Sequence, residues 1–487
     1  MTETTLETWG STLIAGEART EGELGEVPHV NPATGQVQAS VGLAGPETID
    51  DAVASAREAA RQWAETSTSD RRSAMMRVAD RIEAEAGPLG EIGTRENGTP
   101  ASFASLACGT FPAEYFRYFA GWTEKISGSL VPISPQKAID YVVHEPYGVI
   151  GAIVPWNGPL GLIGMKLPAA LAAGNAVVIK TSELAPFTPF RLAELCVEAG
   201  LPKGLVNVVT GDARAGEALV THPGIDKISF TGGIGTGSKV MAQAAKTIKP
   251  LSLELGGKSA SIIFADADLD VAVSTAVQAG IAMQSGQACM APTRLLVERS
   301  VYSEVVDEIV SLAEVLEVGD PQDPGTLMGP LITEAHCERV LGMIEKATNS
   351  GNGKLATGGH RLGGELAAGY FVEPTVFTDV DPMSYIAQTE VFGPVLSIIP
   401  FDSEEQAIAI ANNTPFGLAG YVYTQDLRRA HRVAGALQAG YIGVNAFPFL
   451  PPSAPFGGYK QSGFGRELGT EGVHEFMQTK NVYISLD

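Results

Sequence analysis

The chain has 487 residues, with 33 basic against 55 acidic side chains, a net charge of −22 and an isoelectric point near 4.8. That balance excludes the basic footprint of a nucleic-acid binder. Four cysteines with no CxxC pair exclude a disulfide framework, so a reducing cytoplasm is the expected compartment. With 45% apolar residues, a mean hydropathy of +0.10, 56 glycines and 30 prolines, the composition suits a loop-rich α/β enzyme about three domains long.

The start, "MTETTLETWG", has neither a basic n-region nor an apolar run, so no signal peptide is expected. Residues 48–64 place Ile49, Val53, Ala56, Ala60 and Trp63 on one face of a helix with an acidic first turn. From Pro146 to Ile179 the only charge is Lys166, which invites a membrane reading. Pro155, Pro159, Pro168, Asn157, Asn175 and several glycines interrupt the stretch, so two strands around a loop and a helix fit better. Between 148 and 255, five short β-branched runs ("GVIGAIVP", "NAVVIK", "LVNVV", "KISF", "LSLEL") alternate with helical segments such as 188–200. This is the βαβ rhythm of a parallel sheet. Ligands of such sheets lie at the carboxyl ends of the strands, which is where "PWNG", "KTSE" and "FTGGIGTG" fall. A second alternation runs from about 258 to 445, with a long helix near 302–316. The tail "KNVYISLD" reads as a lone strand, which either docks on its own sheet or adds to another subunit's edge.

Two familiar phosphate motifs fail on inspection. "FTGGIGTGSK" has Ser238 where G-x-G-x-x-G needs its last glycine, and "GGKSA" has Ser252 where a phosphate loop needs its first. What remains is a Gly-rich strand-to-helix turn whose N–H groups could face a pyrophosphate, or a turn that is only structural. Lys180 and Glu183 end a strand and could bracket a ribose diol; a glutamate there would repel a 2′-phosphate. Taken alone, they could equally be a solvated ion pair. "QSGQACMAPTR" isolates Cys289 among small residues, and "LELGGKSA" puts Glu254 at the end of an apolar strand. A thiol near pKa 8.5 needs a base or a favourable field to react, and a buried carboxyl is shifted toward the range of a general base. Singly, each could be packing or an ion pair.

Together and in order, "PWNGP" (155–159), "KTSE" (180–183), "FTGG" (230–233), "LELGGKSA" (253–260), "GQAC" (286–289), "EVFGPV" (390–395) and "PFGGYKQSGFGRELG" (455–469) resemble the NAD(P)-dependent aldehyde dehydrogenase superfamily. The resemblance implies a Rossmann-type parallel-sheet cofactor domain (1–123 and 147–257) and a second α/β catalytic domain (258–455). It also implies a small β oligomerisation element (124–146 and 470–487) that builds a homodimer or homotetramer. Carried over by position, Cys289 is the nucleophile, Glu254 the general base, Asn157 with the Cys289 N–H the oxyanion hole, and Lys166 a lysine close to the reacting centre. NAD, with NADP as the alternative, would lie against Val154, Pro155, Trp156, Gly232, Gly233, Gly237 and Leu255. Lys180 and Glu183 would hold its adenosine ribose, and Glu390 and Phe392 its nicotinamide ribose. No metal is implied.

Five positions depart from the family pattern. Gly158 replaces an aromatic, Gly161 and Met165 offer smaller or softer walls, Gly233 replaces a serine, and Gln284 replaces an asparagine. The smaller walls suggest a roomy tunnel for a large apolar or aryl aldehyde. Two alternatives stand beside hydrolytic aldehyde oxidation. A CoA-acylating semialdehyde dehydrogenase would generally lack Glu254, and a silent binding or scaffold protein would lack reason to keep Cys289, Glu254 and Asn157.

Overall fold

β-branched side chains crowd a helix and pack well on a pleated surface, and the Val/Ile runs are strands. The computed structural model describes residues 10–447 and 450–486. In it, β1 (Val149–Ile153), β2 (Ala176–Thr181), β3 (Val206–Thr210), β4 (Lys227–Thr231) and β5 (Leu251–Glu254) run parallel in the order 5-4-1-2-3. All are buried except at Leu251, as expected of parallel strands covered on both faces. Antiparallel edges (Thr12–Ile14 with Glu17–Arg19, and Gly463–Phe464) complete eight strands. The order reverses between β1 and β4, and a sheet that reverses opens a crevice at the strands' carboxyl ends. Helices α1 (Pro159–Ala173), α2 (Phe187–Glu198), α3 (Ala213–Thr221) and α4 (Ile234–Ala244) are the crossovers.

The second sheet holds β6 (Ala260–Ile263), β7 (Arg294–Glu298), β8 (Thr375–Thr378), β9 (Val395–Phe401), β10 (Ala419–Tyr423) and β11 (Tyr441–Val444). They are parallel in the order 8-9-7-6-10-11, with Lys354–Thr357 antiparallel beside β8. The chain thus has the expected α/β architecture, with a Rossmann-type parallel sheet and a second α/β sheet. The tail strand, Met477–Ser485, is not unpartnered. It pairs antiparallel with Ala138–Pro146 of the same chain along its full length, from Met477↔Pro146 to Ser485↔Ala138. Ser129–Val131 adds a third strand.

Two sequence expectations shift. Pro168 does not interrupt the apolar stretch: α1 runs through it to Ala173, losing the one bond that its missing N–H would have made to Gly164. The 48–64 helix spans Pro46–Glu65, and its buried stripe is Ile49, Ala52, Val53, Ala56, Ala59 and Trp63, with Ala60 only half-buried. Among the described residues no helix is long and apolar enough to cross a membrane.

Candidate active site

β1 ends at Ile153 and the chain turns through Val154, Pro155, Trp156 and Asn157 before α1 starts with Pro159 at its first turn, a position suited to a residue without an N–H. Val154 is buried and donates its N–H to the Lys180 carbonyl, which ties this turn to the end of β2. β4 delivers Gly232 and Gly233 on the other side of the switch point. A cavity of about 270 Å³ lies there, walled by Pro155, Trp156, Gly232 and Gly233. β5 adds Glu254 and Leu255, and the second sheet's loops add Cys289, Glu390 and Phe392. Of the predicted residues, Gly237 sits one turn into α4, where a Cβ would meet Leu255 Cδ2 at 2.7 Å. Lys180 and Glu183 stand at the end of β2 and do not line this cavity.

The cleft fits a dinucleotide. No side chain caps α4 at Gly233, and a Cβ at Gly233 or Gly235 would meet nothing within 4 Å. The first-turn N–H groups of a helix lack internal partners, and a phosphate satisfies them. The glycine pair after β5 has a different cause. A Cβ on Gly256 would run into the Glu390 carboxylate, and one on Gly257 into the Cys289 carbonyl. Glu390 accepts the Gly257 N–H at 2.9 Å. Trp156, His336 and Phe392 form a cluster of edge-on rings 5.6–6.3 Å apart across the cleft.

Cys289 is partly exposed where this cleft meets a second cavity of about 160 Å³. Asn157, Leu162 and Cys289 line both. The second cavity is apolar and aromatic: Phe103, Phe111, Tyr115, Phe447 and Phe456 line it together with Met165, while Gly158 and Gly161 leave it wide. An outer chamber of about 430 Å³ shares Phe103, Met283 and Phe447 with it, so the three spaces make one passage. Two π-helical turns, Leu106–Thr110 and Gln278–Ala282, flank that passage. Such wide turns concentrate at functional sites.

Burial raises both titratable groups at the centre of the site. Burial, then the charges of Glu390 and Glu254, push the Cys289 thiol up to about 12. Burial, then Glu467, raises the Glu254 carboxyl well above its ordinary range, and neither of its oxygens has a hydrogen-bond partner. Asn157 Nδ2 donates to the Gln287 carbonyl at 2.8 Å, which fixes the amide against the cysteine loop and leaves its second N–H free for another acceptor. Lys166 lines neither cavity. It is buried, ion-paired with Glu467 and donates to Ser229 Oγ at 3.0 Å. Its charge lowers the pKa of Glu254 against the burial that raises it. Glu467, Arg339 and Gln287 were not singled out in the sequence. Glu467 lay inside the quoted "GRELG" run, but nothing local ties it to Lys166, 301 residues away.

The family model described as "Aldehyde dehydrogenase family" matches residues 19–482. The chain is 43% identical over 459 residues to a betaine aldehyde dehydrogenase of Vibrio vulnificus, covering 94% of each. It superposes on an aldehyde dehydrogenase of Bacillus cereus solved with NAD+ at a TM-score of 0.95, 42% identical, covering 98% of this chain and 97% of that one. PnpE from Pseudomonas sp. WBC-3, also solved with nicotinamide adenine dinucleotide, gives a TM-score of 0.95 at 38% identity over 98% of both chains. The fold, the dinucleotide-shaped crevice and these whole-length matches agree: the chain belongs to the aldehyde dehydrogenase family and is an aldehyde dehydrogenase, of a class that oxidises aldehydes with NAD(P).

Proposed function

We propose that this enzyme oxidises large apolar or aryl aldehydes to their carboxylic acids through a covalent intermediate on Cys289, with NAD as the preferred cofactor. The observation that carries the reading is the position of Cys289 at the junction of a dinucleotide-shaped cleft and an aromatic passage. Cys289, its thiol proton released to solvent, adds through Sγ to the aldehyde carbon. The resulting alkoxide faces the free N–H of Asn157 and the backbone N–H of Cys289, donors worth roughly 3–4 kcal/mol each. Loss of a hydride from the alkoxide carbon, to the nicotinamide that a bound NAD(P)+ would supply, leaves a thioester on Cys289; Glu390 and Phe392 would hold that cofactor at one end and Lys180 and Glu183 at the other. Glu254 then takes a proton from water, whose oxygen attacks the Cys289 thioester, and passes that proton to the departing sulfur, which releases the acid and the free thiol. Lys166 and Glu467 stand beside Glu254 as a buried charge pair that sets how readily it gives its proton up.

Glu183 favours NAD, because its carboxylate would repel a 2′-phosphate. The three-stranded sheet exposes Leu130 and Tyr483 at 74% and 52%, with Ile484 and Leu486 beside them, which supports a homodimer or homotetramer built there. All four cysteines are free, in keeping with a cytoplasmic setting. A trimethylammonium aldehyde is the second reading, since the five aromatic rings of the passage could cage a quaternary ammonium.

Steady-state oxidation of benzaldehyde, decanal, acetaldehyde and betaine aldehyde, with NAD and NADP side by side, tests the proposal. Higher kcat/KM for benzaldehyde or decanal with NAD is expected. Preference for betaine aldehyde supports the second reading, and a preference for acetaldehyde contradicts both. With CoA present, the expected product is still the acid; acyl-CoA would overturn hydrolysis.

A further inference from the structure

We propose that Gln284 is a positioning and specificity-determining residue, which holds Asn157 in place and occupies the space that the glycine at 158 leaves open. The inference rests on the reading of Asn157 and Cys289 above.

Gln284 Nε2 donates to the Asn157 backbone carbonyl. That residue's own side chain is in turn tied to the Gln287 carbonyl at 2.8 Å. Asn157 is therefore held at two points, by both ends of one four-residue stretch just before the cysteine. The backbone of that stretch is set by force. Gln284 (φ 49°) and Ser285 (φ 57°) both lie in the left-handed region, followed by Gly286 (φ 71°). Two adjacent residues with side chains in that conformation are strained and persist only where the surroundings dictate them. Here the surroundings are identifiable. Ser285 Oγ donates to the Gly329 carbonyl at 2.7 Å, and Gln287 Oε1 accepts the Ile332 N–H at 3.0 Å.

Gly158 completes the arrangement. A Cβ at 158 would meet one heavy atom within 4 Å, and that atom is Gln284 Nε2, at 3.4 Å. A Cβ at 158 would already touch the amide of Gln284, so a side chain extending beyond it would press on that amide at the wall of the aromatic passage, which both residues line. The departures from the family pattern at 158 and 284 are one feature. The long amide replaces a ring as the wall, and it adds a hydrogen bond to the backbone of the oxyanion-binding residue.

The test uses the full-length enzyme with Gln284→Met, which keeps the length and removes the donor, Gln284→Ala, Gly158→Phe and the Gly158→Phe/Gln284→Ala pair. Gln284→Met should lower kcat about ten-fold, the scale of one neutral hydrogen bond, with KM for NAD and the thermal midpoint close to wild type. Combined with Asn157→Ala it should cost less than about two-fold beyond Asn157→Ala alone, because the two act as one unit. Gly158→Phe should lower kcat/KM for benzaldehyde at least ten-fold, and adding Gln284→Ala should restore most of the loss. Wild-type kcat in Gln284→Met, additive losses with Asn157→Ala, or no rescue in the pair would each overturn the inference while leaving the proposed reaction intact. Wild-type enzyme that oxidises none of the aldehydes overturns the reaction itself, and the inference with it.

Discussion

The Cys289 thiol, pushed up to about 12 by burial and by two nearby carboxyl groups, stays protonated in the free enzyme at neutral pH. Alkylation of Cys289 by iodoacetamide should therefore be slower at pH 7.5 than that of free cysteine, and should still be rising above pH 9. A rate that levels off near pH 8 would contradict this. Glu254, desolvated and without hydrogen-bond partners, is the proposed general base. Glu254→Gln should give a first burst of NADH followed by turnover at least a hundred-fold slower, the lower end of general-base contributions; unchanged steady-state kcat would remove Glu254 from the reaction. These two residues could be read from the chain because each sits in a run of small or glycine neighbours, and the structure gives the cause. Glu390 and the Cys289 backbone leave no room for side chains at 256 and 257. Glu467 could not be read, since its ion pair with Lys166 exists only when the tail of the chain folds back behind β5.

At the scale of elements, the strands of the first sheet matched their β-branched runs within a residue or two, because burial on both faces demands continuous apolar side chains. The helices of residues 68–120 were not legible as a group, and their role in walling the passage with Phe103, Phe111 and Tyr115 depends on packing across the chain. The start of α2 shows the same limit. Its N-terminal N–H groups at Phe187 and Thr188 are accepted by the buried carboxylate of Glu96, at 3.0 and 2.9 Å, from about ninety residues upstream. Local capping rules look only a few residues away. Glu96→Ala should cost about 2 kcal/mol of stability in denaturant unfolding, the upper range for a lost cap; a change below about 0.5 kcal/mol would show that the cap is dispensable.

Across the whole molecule, two sheets of mostly parallel strands meet at one crevice, and the tail returns to pair with Ala138–Pro146. Its exposed Tyr483 and Ile484 predict association: a Tyr483→Glu/Ile484→Glu pair should shift the mass in light scattering toward the monomer, and an unchanged mass would place the interface elsewhere. Stability should also follow two histidines, His29 buried and His336 half-buried. Burial pushes His29 and His336 down to about 4, so each remains neutral when folded while an unfolded histidine takes a proton below about 6.5. Their contribution is fully present above pH 6.5 and is lost as the pH falls through 4. The thermal midpoint should fall across that window, and His29→Gln should flatten part of the slope; an identical slope would assign it to other groups. The central claim, acyl transfer to one sulfur, is tested most directly by mass spectrometry of Glu254→Gln enzyme quenched seconds after mixing with NAD and benzaldehyde. A benzoyl group on the peptide carrying Cys289 is the result expected, and NADH formed while that peptide stays unmodified would contradict the account.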